Sequence, residues 1–364
     1  MLLNVQALRG LAAFLVIFVH LERLAELAGL PRGITVFGNS GVDVFFVISG
    51  LIMVATTYGR RETAAGFLRK RVSRIVPLYW VVTLAVFAIA LTAPRLMQST
   101  TASVPGLVKS LAFIPYARPD GSMHPVVFLG WTLNYEMMFY LLFALGMLAP
   151  NRLLGVGATL GALVLAAGVG RAFPQRDPLL AFYTAPVILE FGGGMVLGVL
   201  LVKERLPSSR RLGWLAILAA AVALLAMVLG PWIWRPDVDR SLMFGIPAVV
   251  IVAAALIAER AGLTCSAGWI QLLGAASYSI YLTHFFCTQA IVLVAERFAR
   301  LGPAFLFLLV PLAFILIAVV GVVVHKTVEL PLTNFARRLL VSSRRGSARP
   351  FPAKLGKAQA EPSG

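Results

Sequence analysis

Charge is scarce in this sequence. Of 364 residues, 13% are Asp, Glu, Lys or Arg, and only 15 are acidic, where a soluble domain carries about 25% charged residues. That deficit excludes an ordinary water-facing surface. Cysteine is almost absent: Cys265 and Cys287 lie in unlike segments, one in a loop and one in an apolar run, so neither a disulfide framework nor a thiolate metal site is expected. Histidine is scarce too, at four residues. No H-x-x-x-H or carboxylate–histidine pair among them points to a metal.

What is present is apolar. Hydrophobic residues make up 59% of the chain and the mean hydropathy is +0.88, more than one water-soluble core of this length hides. Windows of about twenty residues mark ten segments: 5–24, 42–58, 75–92, 126–148, 153–172, 180–202, 212–229, 242–258, 269–294 and 304–325. The chain is therefore expected to be all-α and polytopic, with about ten transmembrane helices. The first segment ends in polar residues without a small-residue cleavage site, so it reads as a retained helix and not as a signal peptide. An even count puts both termini on one side. The loops on that side hold about twice the basic residues of the others, which predicts cytoplasmic termini.

The formal net charge of +17 does not indicate nucleic acid, because the basic residues fall between apolar runs and not in a stripe with interleaved aromatics. Residues 1–335 read as one membrane domain, and 336–364 as a basic tail expected to be disordered. The polar stretch 93–125 could cover a site from outside. Gly157-x-x-x-Gly161 and Gly194-x-x-x-Gly198 predict close helix approach.

Ionisable groups inside apolar spans mark cavities or pathways. Arg9 and His20 are eleven residues apart, about 20° past three full turns, so they share a face some 16 Å apart along the axis. The hydrocarbon layer is about 30 Å thick, so the two cannot reach opposite interfaces and at least one must line a polar cavity. A neutral imidazole there would offer a nitrogen as base. Snorkelling of Arg9 and a single interhelical bond from His20 is the plainer alternative. Gln6 lies one turn below Arg9.

Further along, Asp43 opens the second span, where it could orient an imidazole or cap the helix. Arg71 and Arg74, three apart, point the same way on a helix and suit a phosphate, with Lys70 beside them; positive-inside anchoring would also explain them. Glu136 lies inside the fourth apolar run and needs a partner, for which Arg9 or His20 would serve. Glu190 raises the same question in the sixth. Ser277, Tyr281 and His284 fall at i, i+4 and i+7, a polar stripe facing protein; they are candidate substrate contacts or interhelical hydrogen-bonding groups. His124 and His325, near span ends, look incidental.

These segments together resemble acyltransferase family 3, integral membrane O-acyltransferases of bacterial surface polysaccharides, and in particular its exopolysaccharide-production branch. The resemblance is carried by Leu8-Arg9-Gly10 with His20, by Gly41-Val42-Asp43-Val44-Phe45-Phe46-Val47-Ile48-Ser49-Gly50, and by Arg71-Val72-Ser73-Arg74-Ile75-Val76-Pro77. Trp131-Thr132-Leu133-Asn134-Tyr135-Glu136 and Ser277-Tyr278-Ser279-Ile280-Tyr281-Leu282-Thr283-His284 complete it, in order. It implies a multi-pass protein of the bacterial inner membrane and no tightly bound cofactor. It also implies an acyl-CoA co-substrate, expected to be acetyl-CoA, and a glycan or lipid-linked saccharide acceptor, within a polysaccharide biosynthesis complex. Arg9, His20, Arg71 and Arg74 would carry function, with Glu136 a helper. The fourth-span motif departs from the family by keeping one carboxylate where two are common. No esterase-like extension follows the last helix, so a relay to a C-terminal serine is not expected. A proton-coupled transporter or a lipid-linked glycan flippase is the rival class, since both need intramembrane His, Glu and Arg.

Overall fold

A computed structural model describes residues 2–31, 33–93, 102–118, 121–173, 175–233 and 239–341. Of the tail expected to be disordered over 336–364, residues 342–364 lie outside them, as do Arg95 and Arg235 of the loops, while residues 336–341 are helical. Ten helices answer to the ten apolar segments: α1 (Leu3–Val19), α2 (Ser40–Thr57), α3 (Ala64–Thr92), α4 (Gly130–Gly146), α5 (Arg152–Ala172), α6 (Ile188–Val202), α7 (Arg210–Ile233), α8 (Ile246–Arg260), α9 (Ser277–Phe298) and α10 (Pro303–Val324). A final helix, α11 (Leu330–Val341), packs along α3. No strand occurs among the described residues.

Eight of the helical stretches are long and apolar enough to cross a bilayer. The two that are not are α1 and α4, of 17 residues each, or about 25 Å against a hydrocarbon layer of about 30 Å. These are the helices that carry Arg9 and Glu136. Arg9 and Glu136 therefore ride on helices shorter than the hydrocarbon layer, while Arg71 and Arg74 ride on the 29-residue α3.

Local chemistry sets the helix limits. The first apolar segment stops at His20, whose backbone N–H bonds the Ile17 carbonyl, and a short helix resumes at Glu22. Conversely, α3 starts eleven residues before its apolar window. Thr63 caps it, its Oγ1 accepting from Gly66 N at 3.0 Å, so Arg71 and Arg74 stand on a helix and not in a loop.

The central helix is α2, buried on nearly every side. It packs on α6 with backbones almost touching: a Cβ on Gly194 would collide with the Val47 carbonyl, and one on Gly50 with the Phe191 carbonyl. The Gly194–Gly198 expectation holds. Gly157 and Gly161, by contrast, face open space, so that pair is not a helix contact. Peripheral helices α7 and α10 expose Leu218, Leu225, Leu308 and Ile315, the surface that lipid covers. Within the stretch 93–125, residues 102–118 fold back on α3: Trp80 Nε1 donates to the Leu111 carbonyl at 2.9 Å, and Phe113 lies against Tyr79 with ring centroids 4.7 Å apart.

Candidate active site

The helix directions place the polar residues at two levels of one path. The starts of α1, α3 and α9 and the ends of α2 and α4 meet at one end, which holds the arginines. The opposite end holds His20 and His284. A cavity of about 240 Å³ begins at the arginine end and reaches Val42 and Thr132, near the starts of α2 and α4. Arg9, Arg71, Arg74 and Glu136 line it, with Gln6, Ser49, Tyr140, Ser277, Tyr278 and Tyr281.

Of the four charged groups in that cavity, Arg9, Arg71 and Glu136 bond neutral side chains. Arg9 Nη1 donates to Gln6 Oε1 and Nη2 to Ser277 Oγ, both at 2.9 Å. The one-turn spacing of Gln6 and Arg9 explains the first bond. Arg71 donates to Thr56 Oγ1 at 3.2 Å, and its guanidinium lies over the rings of Phe67 and Tyr140, 5.3 and 5.7 Å from the centroids. Glu136 Oε1 accepts from the hydroxyls of Ser49 and Tyr140, both at 2.6 Å. The partner expected of Arg9 or His20 is thus supplied by two hydroxyls. Tyr140 was legible as the i+4 neighbour of Glu136; Thr56 had no signal in the sequence.

Among the described residues, none of the guanidiniums of Arg9, Arg71 and Arg74 has a carboxylate within ion-pair distance. Three cations and one carboxylate therefore face the same space. Lys70 is elsewhere: it is exposed, pairs with Glu62 and does not line the cavity.

Toward the other end the cavity closes at Tyr281 and Thr132, whose hydroxyls are 2.8 Å apart. Beyond them the rings of His20 and His284 lie 4.9 Å apart at 32°, with Phe128 edge-on to His20 at 5.0 Å. His284 is fully buried, and its Nδ1 is 2.8 Å from the Tyr281 carbonyl. Of the expected stripe, Ser277 and Tyr281 line the cavity and His284 meets His20.

Asp43 does not orient His20. Completely buried, it accepts two bonds from Arg240, at 2.7 and 3.3 Å, and makes no helix cap. Arg240 follows residues of low apolar content 197 positions away, and nothing in the sequence paired the two. Glu190 is buried near this ion pair. His325, expected to be incidental, lies 2.7 Å from Glu329 Oε2, which also accepts from Ser279 Oγ at 2.6 Å. No group of three metal-ligating side chains occurs among the described residues.

Comparison with known proteins places the chain in a family. A family model described as an acyltransferase domain matches residues 2–325. The exopolysaccharide production protein ExoZ of Rhizobium meliloti (strain 1021) is 36% identical over 334 residues, covering 89% of this chain and 95% of its own length. The acyltransferase MdmB of Streptomyces mycarofaciens is 27% identical over 313 residues, 78% of each chain. No solved structure matches the chain. A helical bundle around an arginine-lined cavity, matched over nearly its whole length, belongs to acyltransferase family 3 and is a multi-pass membrane O-acyltransferase.

Proposed function

We propose that the protein transfers an acyl group, acetyl first of all, from acyl-CoA to a hydroxyl of a cell-surface or exopolysaccharide glycan or its lipid-linked precursor. The observation that carries this reading is the set of three guanidiniums facing a cavity without a carboxylate partner. Three partly buried guanidiniums against one carboxylate leave an excess of positive charge, which is costly away from water, and an anionic ligand relieves that cost. Arg71 and Arg74 grip CoA phosphates, for which planar guanidinium donors are suited. A volume of about 240 Å³ suits a slender acyl-pantetheine arm and leaves the nucleotide outside. Such an arm, filling the cavity toward Tyr281 and Thr132, carries its thioester toward the histidines.

At that end His20 acts as base. Its free nitrogen takes the acceptor hydroxyl proton as the oxygen bonds the acyl carbon; the C–S bond breaks, and the thiolate recovers the proton. Arg9, bonded to Ser277 two turns below His284, stands too far along the axis for an oxyanion at His20, so we place it in donor binding. Glu136 holds the cavity wall through Ser49 and Tyr140. Both termini face the cytoplasm in the inner membrane, which sets the α3 arginines where acyl-CoA is made. The printed name of ExoZ, an exopolysaccharide production protein, favours a glycan acceptor.

Purified protein given acetyl-CoA should release free thiol, faster with acceptor glycan present, and surface glycans of a deletion strain should lose acetyl groups by mass spectrometry. Saccharide uptake into proteoliposomes without CoA, and without thiol release, would instead establish a carrier.

A further inference from the structure

A base must present one nitrogen and keep its proton on the other, which requires a group that fixes its tautomer. The carboxylates expected to do this are occupied: Asp43 by Arg240, Glu136 by Ser49 and Tyr140. The ring that does approach His20 is His284. A carbonyl only accepts, so the 2.8 Å contact to Tyr281 makes Nδ1 the protonated nitrogen of His284. Its Nε2 is then a bare acceptor, and it is buried without any hydrogen-bond partner among the described residues. An unmet buried acceptor is unfavourable and calls for a donor. With centroids 4.9 Å apart, a small rotation of His20 brings an N–H within reach, as catalytic hydrogen bonds often tighten only with substrate bound.

We propose that His284 is a positioning residue for the acyl transfer: its bare Nε2 receives the N–H of His20 and so fixes which His20 nitrogen faces the acceptor hydroxyl. The inference rests on the reading of His20 as base. During transfer the His20 imidazolium shares one N–H with His284 and returns the other proton to the departing thiolate, while His284 keeps its single proton on Nδ1 throughout. The chain thus fixes its base with a neutral imidazole, itself fixed by the carbonyl one turn back on α9.

The test compares His284→Phe with His284→Gln, which restores an acceptor near the Nε2 position, in purified protein with acetyl-CoA and acceptor. His284→Phe should lower kcat about 100-fold, within the range set by general-base catalysis, with KM for acetyl-CoA unchanged. His284→Gln should recover most of that loss. Equal impairment of the two variants, or a His284→Phe kcat within about threefold of wild type, would overturn the inference. Should either variant fail to reach the membrane, nitrogen NMR of wild-type protein labelled in histidine and loaded with CoA and acceptor glycan decides it: one neutral tautomer for His20 is expected, and a mixture contradicts it. His20→Ala separates the two readings. If it stays active, the base assignment itself is lost; if it is inactive while His284→Phe is normal, only the role of His284 is.

Discussion

The arginine end and the histidine end of the path share two helices yet are built on opposite principles. At the arginine end, Arg9, Arg71 and Glu136 each bond neutral side chains around open space, and an excess of positive charge faces that space. At the histidine end two imidazoles pack on each other, His20 also against Phe128, with no carboxylate bonded to either among the described residues, and one nitrogen is left bare. The first arrangement suits an anion held by several donors. The second suits moving a single proton. Binding and chemistry are thereby separated by some 16 Å along α1, so each can be impaired without the other.

His20→Ala breaks the comparison most directly. Transfer should fall by about 10³-fold, within the contribution expected of a general base, as measured by acetyl-CoA-dependent glycan acetylation, with the protein still in the membrane. The next effect concerns neither end: Asp43→Ala strands Arg240, and breaking a buried ion pair costs about 3 kcal/mol. Since the side chain of Arg240 is 34% exposed, a loss at or below that figure is expected, read as a lowered unfolding midpoint in detergent. Asp43→Ala combined with Arg240→Met should recover part of it. A catalytic loss without destabilisation would return Asp43 to the histidine site.

Arg71→Ala sharpens the comparison from the other side. Losing charge-assisted bonds worth about 1.5–3 kcal/mol should raise the acetyl-CoA KM by about 10- to 100-fold with a smaller change in kcat, in steady-state thiol-release assays. Arg71→Lys should recover little, since a point charge lacks the planar fork and the stacking on Phe67 and Tyr140.

Much of this was legible in the sequence because it depends on local periodicity. Ten apolar windows became ten helices, Arg9 and His20 were placed on one face by the 3.6-residue repeat, and Arg71 with Arg74 by a spacing of three. Contacts between distant segments were not legible. His20 meets His284, Arg240 meets Asp43, and Ser49 meets Glu136 through tertiary packing that no local pattern encodes. Helix limits also escaped hydropathy: α1 stops at His20 although leucine follows, and α3 begins in polar residues because Thr63 caps it. Gly157 and Gly161 show the same limit, a packing motif whose face happens to point away from any helix.

The central claim, that one end binds the donor and the other performs the transfer, is tested most directly by calorimetric titration of CoA into purified His20→Ala and Arg71→Ala proteins. The account predicts that His20→Ala binds CoA as wild type does while Arg71→Ala binds at least about tenfold more weakly. Weakened binding in His20→Ala together with wild-type binding in Arg71→Ala would contradict it.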